Sequence, residues 1–292
     1  MRIAALLALL LAAFALTAPV QRASATSPEG AVIVSYGQHP LQQLDFTPAE
    51  RLNAPLVVFL HGGGWAFGDK RMAARMGAHF HGQGYAFASV NYRLAPEVNP
   101  RQQAEDVAAA IASLREGARE HGIDPNRILV IGHSAGAHLA ALIGTDPSYL
   151  AAHHIPLSAL SGIVLLDGAG YDVPAQMRRA GPFLRRMYSR AFGEDAAFQA
   201  SVSPTLQAAA PNAARFLIFH ITSRPDDSGA QSRSLAAALR AAGTPAEVVA
   251  VDNTHAEIFR DFGQPGHVAT ERTDAFAQDV FGRAPGDQIR SP

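Results

Sequence analysis

Five residues, Gly132-His133-Ser134-Ala135-Gly136, stand between an apolar run at 127–131 and a helix-like segment that starts at Ala135. A strand that turns sharply into a helix at a serine strains that residue and projects its hydroxyl, and the flanking glycines are needed because side chains there would collide with neighbouring backbone. The pattern on either side fits such a turn. Runs at 56–60, 85–91, 127–131 and 162–166 are rich in Val, Ile, Leu or Phe without strict alternation, as suits strands buried on both faces of a parallel sheet. Segments 72–82, 100–121 and 135–143 have helical spacing, and two further apolar runs at 215–221 and 247–251 flank a helix-like stretch at 230–242 that Gly243 ends. Residues 270–281 read as the last helix. At the front, 31–36 and 41–46 read as two strands joined through Gly37 and Pro40, an antiparallel start to the sheet. The expected fold class is α/β, a mostly parallel doubly wound sheet in one domain spanning 26–292. Residues 170–212 are too long for an ordinary connection and should form a small helical, cap-like insertion. Its arginines, Arg178, Arg179, Arg185, Arg186 and Arg190, either face a substrate cleft or solvate a surface helix, the latter being the plainer reading.

Composition removes several alternatives. With 48% hydrophobic residues in 292, a large core is available. Lys and Arg number 24 against 25 Asp and Glu, which provides no basic field for nucleic acid or an acidic membrane surface. The absence of cysteine removes disulfides, thiolate nucleophiles and Cys-ligated metal, so the chemistry must use oxygen, nitrogen or carboxylate. At the start, Arg2, an apolar stretch at 3–16 and Ala23-Ser24-Ala25 read as a signal peptide over 1–25. Its cleavage near Ala25 implies an exported protein, periplasmic or secreted, with no stable membrane association afterwards.

A serine at the start of a helix has the unpaired backbone N–H of Ala135 beside it, a natural donor to developing negative charge. His61-Gly62-Gly63-Gly64-Trp65 follows the run at 56–60, at the end of the sheet where the serine turn also emerges. Its glycines expose backbone N–H groups that can complete an oxyanion hole. The serine also needs a base, and in this architecture acid and base follow it in the chain. His255, just beyond the run at 247–251, is the candidate. His220 lies inside an apolar strand, while His133 and His138 suit packing roles. His153 and His154 lack carboxylates at ligand spacing, so no metal is expected. The acid is expected in the loop after 215–221, where Pro225 places Asp226 on a rigid turn, with adjacent Asp227 competing for the role. Asp167 and Asp172, after the preceding strand, are the outside alternatives.

These features resemble the α/β-hydrolase superfamily, and more narrowly carboxylesterases with an H-G-G-G-W motif, related to hormone-sensitive-lipase-like esterases and kynurenine formamidases. The resemblance runs over about 56–281 and includes Tyr92-Arg93-Leu94-Ala95-Pro96, a characteristic companion of the glycine motif. It implies oxyanion amides from Gly63, Gly64 and Ala135, with residues 92–96 packing the turn beneath. Two departures stand out: only about 30 residues separate the expected cleavage site from the first central strand, leaving no room for a long N-terminal cap, and the acid loop lacks the usual spacing. The implied reaction is hydrolysis of short-chain acyl or aryl esters through an acyl-enzyme, on small-molecule substrates and with no cofactor. An arylformamidase-like amide or formamide hydrolase and a catalytically silent binding protein are the alternatives. Acyl-chain length, physiological substrate and oligomeric state depend on pocket walls and surfaces that motifs do not specify.

Overall fold

The computed structural model describes residues 30–282 apart from 210, 225 and 227, so the expected leader at 1–25 and the candidate Asp227 lie outside the described residues. Eight strands form one sheet: β1 (Val32–Ser35), β2 (Gln43–Thr47), β3 (Ala54–Leu60), β4 (Ala86–Val90), β5 (Ile123–His133), β6 (Leu160–Leu166), β7 (Phe216–Ile221) and β8 (Ala246–Val251). Their order is β1-β2-β4-β3-β5-β6-β7-β8. The pair β1–β2 and the pair β2–β4 are antiparallel and every other pairing is parallel, as the front hairpin and the unpatterned apolar runs predict.

Strand β3 shows why a run without alternation makes a central strand. Leu56, Val58 and Leu60 enter one apolar cluster, Val57 and Phe59 the other, and all seven strand residues are buried. Neither face can tolerate a polar side chain because a helical layer covers both. The helices in chain order are α1 (Ala74–Gly82), α2 (Pro100–Glu116), α3 (Ala118–His121), α4 (Ala135–Thr145), α5 (Ser148–Ala151), α6 (Val173–Arg179), α7 (Pro182–Phe192), α8 (Ala196–Ser201), α9 (Pro204–Gln207), α10 (Ser228–Ala241), α11 (Glu257–Arg260) and α12 (Val268–Phe281). Helices α2, α4 and α10 contribute to the first cluster, through residues such as Ile111, Leu139 and Leu235. Helices α1 and α12 contribute Phe80 and Phe276 to the second.

The start of α2 is written in its sequence. The Asn99 side chain accepts from Gln102 N at 3.2 Å, the Gln102 side chain accepts in turn from Asn99 N at 3.1 Å, and Pro100 fits the first turn. The single helix expected over 100–121 is divided instead. Helix α2 ends at Gly117, where glycine's low helix propensity offers a break, and α3 ends at Gly122 in the left-handed region with φ 67°. Between β6 and β7 the long connection folds as four short helices, α6 to α9, of which α7 faces the carboxyl end of the sheet through Leu184 and Met187, while α9 packs on α4 and α10.

Candidate active site

Ser134 occupies the junction of β5 and α4 with φ 54°, a left-handed conformation that few non-glycine residues adopt. The glycines around it follow from the closeness of the turn to its neighbours. A Cβ on Gly132 would stand 2.6 Å from Ala137 N, and one on Gly136 would stand 2.5 Å from His61 O. The Ser134 N–H donates to Leu166 O at 3.0 Å, pinning the turn to the end of β6. In this pose the hydroxyl lies 3.0 Å from Nε2 of His255, which sits in the loop between β8 and α11.

The imidazole is held from its other side by Asp167, whose Oδ2 is 2.6 Å from Nδ1. Asp167 follows β6 immediately, has φ 48° and is fully buried. Its Oδ1 accepts from Ile221 N at 3.1 Å and from Ser228 Oγ at 3.2 Å. Burial alone would raise its pKa, but the hydrogen bond with His255 and the positive charge of Arg224 outweigh burial and leave it below the usual carboxylate value. An ionised Asp167 requires a proton on Nδ1, so Nε2 is the nitrogen free to accept from the serine hydroxyl.

The aspartate expected from the sequence stands elsewhere. Asp226 is buried against Arg224, accepting from Nε at 2.7 Å and from Nη2, with Tyr188 Oη donating at 3.4 Å. Arg224 also donates from Nη1 to the carbonyl of Asp167 at 3.0 Å and to its Oδ2 at 3.1 Å. Burial works against the Arg224 charge, yet the two carboxylates raise its pKa overall and keep it a cation. Asp226 therefore neutralises an arginine and does not reach the imidazole, a correction to the expected order of candidates. Asp172, the other outside alternative, caps α6 through Ala175 N at 2.9 Å. No local pattern in the sequence separates Asp167 from Asp226; what separates them is the placement of Arg224 and the pairing of β6 with the serine strand in the fold.

The glycine motif leaves β3 and crosses in front of Ser134. Gly63 and Gly64 have φ 124° and 57°, and a Cβ on Gly62 would stand 2.9 Å from Ser134 Cβ. The turn is tied down at both ends. Tyr92 stacks on His61 with ring centroids 4.4 Å apart and donates to its carbonyl at 2.7 Å, while Gln103 Nε2 and Ala95 N donate to Trp65 O at 2.7 and 2.9 Å. Trp65 Nε1 donates to His138 Nδ1 at 3.2 Å. His133 Nε2 lies 2.9 Å from the carbonyl of His255 and positions its loop, while burial lowers the His133 pKa to about 3. Gly63, Gly64, Ser134 and His255 line one open cavity of about 430 Å³, with Leu184 and Met187 of α7 on its wall. The arrangement can deliver an activated hydroxyl to a carbonyl carbon beside a set of backbone donors.

Comparison with known proteins finds esterases among both sequence relatives and solved structures. The BD-FAE family model matches residues 44–154. Esterase LipQ of Mycobacterium tuberculosis is 30% identical over 252 residues, covering 83% of this chain and 59% of that protein. Carboxylesterase NlhH of the same organism is 42% identical over 99 residues, covering 33% of this chain and 30% of the relative. This chain thus spans less than two thirds of the length of the curated relatives it matches. Among solved structures, the apo form of Thermogutta terrifontis esterase 2 is 26% identical with a TM-score of 0.70, covering 88% of this chain and 96% of that one. The same esterase phosphonylated by sarin superposes with a TM-score of 0.73 at 24% identity, with the same shares of the two chains covered.

Proposed function

We propose that this chain, an α/β-hydrolase, cleaves carboxylic esters of small molecules by nucleophilic catalysis at Ser134. The observation that carries the reading is the hydrogen-bonded line from the Ser134 hydroxyl through His255 to Asp167, 3.0 and 2.6 Å long, at a strand-to-helix turn. His255 Nε2 takes the serine proton as Oγ bonds to the ester carbonyl carbon, and Asp167 stabilises the imidazolium and fixes its tautomer. Charge moves to the carbonyl oxygen, toward the backbone N–H groups of Gly63, Gly64 and Ala135. Collapse of the tetrahedral species expels the alcohol oxygen, which leaves with the proton that His255 returns. Water then adds to the acyl-serine with His255 again as base, and release of the acid restores the hydroxyl.

Esterase relatives in sequence and structure support the choice of ester over other carbonyl substrates. The test is turnover of a 4-nitrophenyl ester series from acetate to palmitate. Short esters should be cleaved, and Ser134→Ala should lose on the order of a million-fold in kcat, as removal of a nucleophilic serine does in comparable systems. Turnover that survives Ser134→Ala would overturn the reading.

A further inference from the structure

A second depression of about 380 Å³ adjoins the cavity over Ser134 at the glycine turn. Gly63, Gly64 and Met187 belong to both, and the second is completed by Phe67, Phe183, Arg186 and Arg190 among others. Residues 183, 186, 187 and 190 recur at the spacing of one helical face, so α7 turns a single stripe of alternating apolar and cationic side chains toward this depression. Phe67 and Phe183 are 67% and 85% exposed, large apolar rings left open to water beside a polar rim. The Arg190 guanidinium lies 5.9 Å from the centre of the Phe67 ring.

Among the described residues the charges on that face are also uncompensated. Helix α7 carries no carboxylate, and the next one along the chain, Glu194, is engaged elsewhere: it pairs with Arg185 at 3.8 Å and accepts from Ser189 at 2.6 Å. Among the described residues no carboxylate pairs with Arg186 or Arg190. An apolar floor below two guanidinium groups matches a ligand with a hydrocarbon or aromatic body that ends in an anion, since guanidinium forks bind carboxylate well. We propose that this depression is the acyl subsite and that it selects esters whose acyl group ends in a carboxylate. The acyl arm is assigned because the leaving oxygen must lie where His255 can protonate it, and His255 lines only the first cavity. This inference rests on ester hydrolysis at Ser134.

The experiment compares mono-4-nitrophenyl esters of linear dicarboxylic acids, from adipate to sebacate, with the same esters capped as methyl esters at the far carboxylate. For at least one length the free carboxylate should be preferred in kcat/KM by about tenfold, the scale of two partly exposed ion pairs. The ratio should fall to within about twofold of unity in Arg186→Gln/Arg190→Gln, recover in Arg186→Lys/Arg190→Lys, and survive in Arg185→Gln, whose arginine pairs with Glu194 outside the stripe. A ratio near one in the unaltered protein, or a preference that persists in the double glutamine variant, would overturn the subsite. Failure of the underlying reading looks different: 4-nitrophenyl acetate would not be turned over, or its turnover would survive Ser134→Ala.

Discussion

Asp167 and Asp226 are both buried carboxylates within reach of Arg224, yet only one touches the imidazole. Their environments divide the work: Asp167 accepts from His255, from a backbone amide and from a serine hydroxyl, whereas Asp226 spends its oxygens on Arg224 and Tyr188. Asp167→Asn should therefore lower kcat about 1000- to 10,000-fold by favouring the wrong imidazole tautomer, while Asp226→Asn should stay within about tenfold of the unaltered enzyme. Steady-state rates on 4-nitrophenyl acetate decide it, and the opposite ranking would return the role to Asp226. Ser134 and His255 were legible in the sequence because a strained turn and chain order each leave a local mark. The acid was not, because both loops offer an aspartate after a strand and only the three-dimensional position of Arg224 shows which one is already taken.

At the scale of elements, the turn from β5 into α4 works only if nothing intrudes between it and the end of β3. Gly136 lies against the backbone of Leu60 and His61, where the obstruction is main chain and cannot rotate away. Gly136→Ala should cost about 1–3 kcal/mol of stability by overpacking, read as a lower urea midpoint with an unchanged slope. It should also depress kcat, because the strand that must yield is the one that carries the glycine turn proposed to hold the oxyanion; a variant with the parental midpoint and rate would contradict the close packing. The central strands were legible because doubly covered strands are apolar throughout, and α2 because its apolar residues recur at helical spacing from Pro100 onward. The division at Gly117 and the four helices between β6 and β7 were not, since short helices of mixed polarity take their boundaries from packing, here against one another and against α4 and α10, more than from their own sequence.

Over the whole molecule, three histidines are buried near the carboxyl edge of the sheet: His61 after β3, His133 at the end of β5 and His138 in α4. Burial lowers their pKa values to about 4, 3 and 4, so all three are neutral in the folded chain at neutral pH. The sign follows from their unfolded value of about 6.5: below it the unfolded chain binds protons that the folded chain refuses, so stability is complete above that pH and declines as pH falls toward the folded values. Each contributes a loss of about 2 kcal/mol between pH 7 and pH 5, measurable by urea unfolding at both pH values. A stability that is flat over that interval would mean the histidines are not held neutral. The layered α/β architecture was legible because it is a repeated pattern, whereas this shared acid sensitivity arises from distant segments meeting at one edge. The same edge holds the chain's single tryptophan, Trp65, buried between the glycine turn and α7 with Phe192 edge-on at 4.6 Å and His138 on its indole nitrogen. Excited at the red edge of its absorption, where the six tyrosines scarcely absorb, this protein therefore emits from one vantage point beside Ser134, and acylation, ligand entry or displacement of the overlying helices should register in the colour and intensity of that emission.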